Sequence, residues 1–206
     1  MILRLAAAAS LCLGAALLLA YLVEVGKSPW SDLAARQLRA MKERTEEPQH
    51  YEPVTIAEMA ALPRDRPVGE YSAYERRGVA VEGYVQRMLR ASDGDTHLDV
   101  APAIDPHHVL VPYLSMEIDP HWLRDSQNWR FERLVERLHP YYGGEAPWDS
   151  APARVRLRGW LMYDYPYEGS APVPGFPPHL AQWEVHPVTG IEVWDERVAA
   201  FVEVPR

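Results

Sequence analysis

The sequence predicts a mainly β protein built on a small five-stranded Greek-key barrel. It also predicts one helix between the third and fourth strands and a transmembrane helix at the N-terminus. Five segments between residues 78 and 194 alternate apolar and polar side chains, as half-buried strands do. One segment between the third and fourth of them repeats apolar residues with helical spacing. The chain also opens with a long uncharged apolar run, which is typical of a membrane span.

The apolar run, Leu5–Val23, contains 19 residues and is long enough to cross a hydrocarbon core as a helix. No small-x-small cleavage site follows it, so we expect an uncleaved signal anchor. Arg4 favours an inside N-terminus, whereas Lys27 and Arg36 favour the opposite orientation. We favour the first orientation, which predicts a single-pass inner-membrane protein with a periplasmic or other extracytoplasmic domain.

Three regions follow from these patterns. Residues 1–30 form the membrane anchor. Ser31–Glu47 is polar, begins with residues that cap helices and stops at Pro48, which predicts a juxtamembrane helix. A proline-punctuated linker follows, so that residues 31–69 connect the anchor to the barrel domain, residues 70–206.

The first three predicted strands are Gly78–Leu89, Asp95–Val100 and His108–Ile118. Each alternates apolar with polar residues, which predicts one face toward the core and one toward water. Pro112 lies within the third strand. Because proline cannot donate a hydrogen bond to a neighbouring strand, it predicts an edge or a bulge there.

The predicted helix and the last two strands follow in chain order. Asn128–Leu138 places apolar residues at positions 131, 134, 135 and 138, the spacing of an amphipathic helix. Ala153–Tyr165 and Gln182–Trp194 alternate again as strands. The residues predicted to fill the core are Val81, Val85, Leu98, Val100, Leu157, Leu161, Trp183 and Val185.

The element order β-β-β-α-β-β is the arrangement of the OB fold, a small Greek-key barrel. Gly83 and Gly159 lie in the middle of strands, where glycine permits the sharp coiling that such a barrel needs. An open α+β sheet with the same elements is the alternative. We favour the barrel.

Three motifs carry a resemblance to a group of uncharacterised bacterial OB-fold-like proteins. Those proteins combine a "DxHL" strand, a "GWLMxD" strand and a terminal "WE[IV]HP" strand. The present chain resembles them over Gly78–Val193, where it reads "DTHL", "RGWLMYD" and "QWEVHPVTGIEV". The resemblance implies the barrel and implies no activity.

A weaker resemblance involves Asp93–Thr96, "DGDT", which is similar to the calcium-binding turn of staphylococcal-nuclease-like OB domains. Those domains also need an Asp-Thr-Pro-Glu segment and two arginines around the scissile phosphate. Here the corresponding region reads "AIDPHH", without the glutamate, and no clear arginine pair follows. This departure argues against nuclease activity.

Charge and cysteine content exclude several classes of function. The chain carries a net charge of −8, and residues 70–196 contain 11 Arg, no Lys and 20 acidic residues. General nucleic-acid binding is therefore disfavoured, because a phosphate-binding surface needs the opposite sign. The single cysteine, Cys12, lies in the apolar run. Neither a disulfide nor a cysteine-based metal site is therefore expected in the domain.

Acidic, histidine and aromatic side chains suggest a binding surface on the outer face of the barrel, where OB folds bind their ligands. We expect it to comprise Asp95, His97, Tyr113, Glu117, Trp160, Tyr165, Tyr167, Glu184 and His186. A subset suits zinc or another divalent ion: Asp93, Asp95, His97, Glu184 and His186. The alternative is that these are ordinary polar residues on the wet face of a sheet. Glu184 is then expected to pair with Arg156 or Arg158.

The favoured function is that of a membrane-anchored, exported binding or interaction domain without catalytic activity or a cofactor. Its partner would be a protein or a small ligand at the cell envelope, with the membrane contacted through residues 5–23. One alternative is a metal-dependent, nuclease-like hydrolase that uses the Asp/Glu/His cluster and a divalent metal. Another is a structural envelope subunit.

Overall fold

The computed structural model describes residues 29–124, 126–143, 151–169 and 177–206, with side chains from residue 33 onward. The chain divides into two compact units, residues 1–39 and 40–206. The predicted anchor, Leu5–Val23, lies outside the described residues. Within the described ranges, no helix combines the length and the apolar character that a membrane crossing requires.

The second unit contains a closed five-stranded barrel. Strand β2 pairs antiparallel with both β3 and β5, which closes the sheet, and β4 joins β3 to β6, which returns to β5. This is the strand order of an OB-like barrel. The mainly β barrel is thus confirmed, and the open sheet is wrong. The barrel strands are β2 (Gly78–Arg90), β3 (Thr96–Ala101), β4 (Leu114–Ile118), β5 (Arg154–Tyr163) and β6 (Trp183–Asp195).

Two further strands extend the sheet beyond the five predicted ones. Strand β1 (Glu52–Val54) pairs parallel with β2, and β7 (Ala200–Glu203) pairs antiparallel with β6. Residues 40–69, which the sequence assigns largely to a linker, therefore belong to the same compact unit as the barrel. At three and four residues, these strands are too short to show a clear alternation.

Four α-helices and two short 3₁₀ helices (residues 68–73 and 165–167) lie in the described residues. The predicted helix between the third and fourth barrel strands is present but starts at Phe131, and a second short helix precedes it. The helix predicted over Ser31–Glu47 ends at Lys42, five residues before the predicted end. The α-helices are α1 (Pro29–Lys42), α2 (Ile56–Ala60), α3 (Pro120–Arg124) and α4 (Phe131–Leu138).

Strand β4 starts six residues later than predicted. His108 has a positive φ of 60°, a left-handed conformation that does not continue a strand, and Pro112 cannot donate to a ladder. In the described segment from His108 to Tyr113, strand pairing is limited to an isolated bridge between Tyr113 and His179. The proline therefore marks the end of a loop rather than an edge within a longer strand.

The predicted core is confirmed, because all eight of its side chains are at most 1% exposed. Strands β5 and β6 approach closely at Gly159, where an added Cβ would lie 2.2 Å from the carbonyl oxygen of Pro187. A Cβ on Gly83 would lie 2.6 Å from Val100 Cγ1. Glycine at these two positions thus permits the tight packing of neighbouring strands.

Candidate functional site

A cavity of about 460 Å³ opens on the face of β3, β4 and β6 that points away from the barrel core. Its volume lies within the range of small-molecule sites. The chain segment before β6 contributes to its wall through Pro177, Pro178 and His179, and Lys42 contributes from the end of α1. Carboxylates from three strands or strand ends also line it, among them Glu117 and Glu184.

Strand register explains why these polar side chains meet. Met116 pairs with Val185, and both side chains are fully buried in the core. Because side chains alternate along a strand, Glu117, Glu184 and His186 must leave the opposite face. His97 joins them, since it pairs with Glu117 across the β3–β4 ladder.

Glu117 is the centre of this polar cluster. One of its carboxylate oxygens lies 3.2 Å from His97 Nε2, and the other lies 3.0 Å from His186 Nδ1. The ammonium of Lys42 is 3.8 Å away. Glu117 therefore faces two imidazoles and one ammonium group while being only 3% exposed.

Burial and the neighbouring charges shift the pKa values of the cluster's ionisable groups in different directions. Burial would raise the pKa of Glu117, but the hydrogen bond from His186 and the charges around it outweigh burial and lower the pKa to about 2. Burial, together with the charge of Glu117, raises the pKa of Glu184 to about 8. Burial opposes the charged form of His186, yet its hydrogen bond to Glu117 and its proximity to Glu184 raise its pKa. At neutral pH the cluster is thus an ion pair of Glu117 and His186 beside a protonated Glu184.

The expectation of a wet outer face is wrong at this cluster. Asp95, Glu117, Glu184 and His186 are all 4% exposed or less. The segment before β6 and Lys42 lie along the same cavity and contribute to this burial. Alternation with a period of two separates the two faces of a strand, but it does not reveal that a distant segment covers the second face.

The expected pairing of Glu184 with an arginine of β5 is also wrong. Arg156 instead binds Glu82 at 2.8 Å and Glu192 at 3.3 Å. Arg158 binds Glu203 of β7 at 2.9 Å, a strand that the sequence did not predict. Glu184 lies opposite Met162 in the ladder and contacts His186 Nδ1 at 3.3 Å.

The aromatic candidates have different environments. Tyr113 is buried in the cavity wall, where its hydroxyl accepts a hydrogen bond from Arg87 at 2.9 Å. Tyr167 is 58% exposed at the cavity. Tyr165 packs against the core instead. Trp160 is engaged by the chain segment before β1, because its indole N–H donates to the Glu46 carbonyl at 2.8 Å.

Several residues of the cavity were not predicted. Arg87 lines it and forms an ion pair with the buried Asp99. Asp164 follows β5, is 7% exposed, and has its pKa raised by burial. Among the described residues, no hydrogen-bond partner reaches Asp164 Oδ1. No local sequence signal identifies Lys42 or Asp164, because their proximity depends on tertiary structure.

The buried acidic and histidine cluster can hold a metal ion. Two groups place one ligand atom from each residue within 4.8 Å of the others. His186 belongs to both groups, with Glu117 and Glu184 in one and with Asp95 and Asp119 in the other. Three of the five predicted metal ligands therefore lie in these groups. Of the remaining two, His97 contacts Glu117, and Asp93 lines the cavity.

Comparison with known proteins identifies no family for this chain. No family model and no curated protein sequence matches the chain. Among solved structures, an asparaginyl-tRNA synthetase of Entamoeba histolytica matches with 13% identity and a TM-score of 0.37, covering 76% of this chain and 25% of that one. An aspartyl-tRNA synthetase of the same organism matches with 13% identity and a TM-score of 0.31, covering 78% and 28%. The chain thus spans about a quarter of the synthetases' length. Neither match carries an inference about activity, substrate or partner.

Proposed function

We propose that the protein is a membrane-anchored, exported binding module that takes a small organic cation into the cavity and performs no chemistry on it. The observation that carries the proposal is the buried carboxyl group of Asp164 at the cavity wall. Its Oδ1 atom has no hydrogen-bond partner among the described residues. A buried acceptor without a donor is costly, and a bound ammonium group would satisfy it.

Glu184 supplies a second acceptor at the same wall. Its Oε1 atom lies 3.3 Å from His186 Nδ1, but the single proton on that nitrogen is directed to Glu117, at 3.0 Å. Oε1 is accordingly without a hydrogen bond among the described residues. Two carboxyl groups that lack donors favour a ligand that brings several N–H groups.

The charge of the cavity wall also favours a cation. Along the described part of the wall, four acidic side chains face two basic ones. One of the acidic ones, Glu184, is protonated at neutral pH, and one of the basic ones, Arg87, is already paired with Asp99, so the remaining wall is still more negative than positive. Burial lowers the pKa of His97 and of His179, so that neither adds positive charge at neutral pH. The acidic wall residues are Asp93, Glu117, Asp164 and Glu184.

The remaining wall suits the organic part of such a ligand. Tyr167, which is 58% exposed at the cavity, presents aromatic surface, and aromatic rings attract ammonium groups through their faces. Two prolines add apolar surface. A cavity of about 460 Å³ accommodates a ligand the size of a small amine with a ring or short chain.

The metal-dependent hydrolase is the less supported alternative. A hydrolytic metal must keep an open position toward its substrate. The group formed by Glu117, Glu184 and His186 does border the cavity, but the Lys42 ammonium lies 3.8 Å from Glu117 and disfavours a second cation there. The other group contains Asp95 and Asp119, which are not among the described residues that line the cavity.

Location at the envelope rests on the uncharged run Leu5–Val23. We propose that it anchors the protein in the inner membrane and that the barrel domain is extracytoplasmic. Cell fractionation of the full-length protein tests this. Retention in the membrane after carbonate washing is expected, and release by carbonate would contradict the anchor.

The binding proposal is tested with benzylammonium chloride and sodium benzoate, two probes of similar size and opposite charge. Calorimetry on the chelator-treated full-length protein is expected to detect benzylammonium and not benzoate. Asp164→Asn should weaken benzylammonium binding about 10-fold or more, since charge-assisted hydrogen bonds contribute about 1.5–3 kcal/mol. Glu136→Gln is the control, because it removes an exposed carboxylate on α4 that is remote from the cavity wall. Preferential binding of benzoate, or equal binding by the Asp164 variant, would refute the proposal.

A further inference from the structure

We infer that the barrel holds a divalent transition-metal ion, of the zinc or manganese class, between His186 Nε2, Asp95 and Asp119. This site is separate from the cavity and does not depend on the function proposed above. It would join β3, β4 and β6 at one end of the barrel. The ligands are one imidazole nitrogen and two carboxylates, with any remaining positions filled by water.

Strand register brings the three ligands together. Thr96, the first residue of β3, pairs with Ile118, the last residue of β4. Asp95 directly precedes Thr96, and Asp119 directly follows Ile118. The two acids therefore face each other at the end of the antiparallel ladder. His186 comes from β6, which pairs with β4. Its ligand atom and those of the two acids lie within 4.8 Å of one another.

The unpartnered nitrogen of His186 distinguishes this group from an ordinary acidic cluster. The side chain of His186 is fully buried, and Nε2 has no hydrogen-bond partner among the described residues. Asp95 Oδ2 lies 3.9 Å from it, which is too far for a hydrogen bond. Two atoms that bind one ion at about 2.1 Å lie about 3.0 to 4.2 Å apart, so the observed spacing suits shared ligands.

The other nitrogen of His186 is already oriented. Nδ1 lies 3.0 Å from Glu117 Oε2, so its proton is directed to that carboxylate. Nε2 becomes a ligand when the metal ion displaces the proton on that nitrogen, because metal binding requires a deprotonated ligand. Metal-binding histidines commonly have such a carboxylate behind them, which fixes the tautomer and raises the basicity of the ligating nitrogen. Glu117 is therefore a positioning residue for the site.

Asp119 is held in a comparable way. Its Oδ1 atom accepts a hydrogen bond from the backbone N–H of His121 at 2.6 Å, at the start of α3. That contact fixes the carboxylate and leaves Oδ2 available as a ligand. Asp95 is itself buried, with 4% of its surface exposed.

The second group around His186 competes poorly for the ion. On the Nδ1 side, Glu117 already has the imidazole at 3.0 Å and the Lys42 ammonium at 3.8 Å as counter-charges. On the Nε2 side, two carboxylates lie near a nitrogen that has no hydrogen-bond partner among the described residues. A cation gains most where negative charge is least compensated, which is beside Asp95 and Asp119.

The ligand set also selects the class of ion. Imidazole nitrogen suits zinc and other first-row transition metals, whereas calcium and magnesium prefer oxygen-only sites. Zinc and manganese both accept mixed imidazole and carboxylate ligands. We therefore expect zinc or manganese to bind and calcium and magnesium not to compete at similar concentrations.

The test uses full-length protein treated with a chelator, dialysed, and titrated with zinc, manganese or calcium chloride by calorimetry. One equivalent of zinc or manganese should bind and raise the melting temperature, since a ligand of the folded state stabilises it. Asp119→Asn should weaken binding at least 10-fold while its amide oxygen can still accept the bond from His121. Asp105→Asn is the matched control, because Asp105 accepts the same kind of bond, from the His107 N–H at 2.7 Å, but belongs to neither group. The affinity of this variant should stay within about 2-fold.

Glu117→Gln separates positioning from ligation. Loss of an outer-sphere partner of this kind weakens metal binding about 10- to 100-fold, and the stoichiometry should remain one. Absence of zinc and manganese binding at about 1 mM would overturn the inference. Binding that is unchanged in Asp119→Asn, or that is lost equally in Asp105→Asn, would overturn it as well. None of these results bears on benzylammonium binding, which is measured without metal.

Discussion

Replacing Glu117 with glutamine would remove the negative charge at the centre of the buried polar cluster. The glutamine would still lie beside His186 Nδ1, which is 3.0 Å from the present carboxylate, and beside the Lys42 ammonium at 3.8 Å. Neither positive charge would then be compensated by a carboxylate at this position. Breaking one side of a buried ion pair costs about 3–5 kcal/mol. For a protein of this size, each kcal/mol shifts the melting temperature by about 2–4 °C, so a decrease of about 6–20 °C is expected.

Glu184→Gln is the matched comparison, because it makes the same chemical change against the same histidine. Burial raises the pKa of Glu184 to about 8, so its side chain is already neutral at pH 7. A neutral glutamine of nearly the same shape should therefore change the free energy of unfolding by less than about 1 kcal/mol. An arginine partner for Glu184, as the sequence predicted, would instead have made the same substitution destabilising.

Urea unfolding of both variants at pH 7, with chelator present, measures the difference in their free energies of unfolding. The midpoint should fall strongly for Glu117→Gln and little for Glu184→Gln, with unchanged denaturant dependence in both. Equal destabilisation by the two substitutions would show that the protons are not divided as inferred. A Glu117 variant as stable as the parent would show that the charge does not hold the cluster together.

Three further predictions concern the core, a tight strand contact and the cavity. Leu157→Ala should cost about 2–5 kcal/mol in urea unfolding, whereas Val198→Ala, at a position 62% exposed, should stay within about 0.5 kcal/mol. Gly159→Ala should cost at least about 1–3 kcal/mol, because its Cβ would meet the Pro187 carbonyl at 2.2 Å; a neutral result would contradict the close approach of β5 and β6. Burial raises the pKa of Asp164, so benzylammonium affinity should increase as the pH rises through that pKa, and Asp164→Asn should flatten the pH dependence.

The barrel could be predicted because its signals are local. Period-two alternation in β2, β3, β5 and β6 marks which side chains face inward, and the eight predicted core residues are buried. The pattern failed where local signals are weak. Strands β1 and β7 contain three and four residues. The loop before β4 resembled a strand because it contains the apolar run Val109–Val111, which forms no ladder.

The candidate site was predicted as a set of residues but not as an environment. The shared strand faces correctly predicted that Glu117, Glu184 and His186 would converge. Their burial depends on Lys42 and on the segment before β6. Lys42 lies 75 residues before Glu117 in the chain, and the segment before β6 ends close to Glu184. Asp119 could have been found, because it lies opposite Asp95 once β3 and β4 are aligned as a hairpin. Asp164 carries no such signal.

The location of the polar cluster is itself an argument that it serves binding. Strands β4 and β6 are buried on both faces: Met116 and Val185 pack in the apolar core, while Glu117, Glu184 and His186 are buried on the other side. Apolar residues of similar volume at such positions are often as stabilising as a buried ion pair, or more so. Stability alone therefore gives no reason for two glutamates and a histidine here. Unpartnered Glu184 Oε1 and His186 Nε2 add to the cost, and that cost is offset only when a ligand or ion supplies the missing contacts.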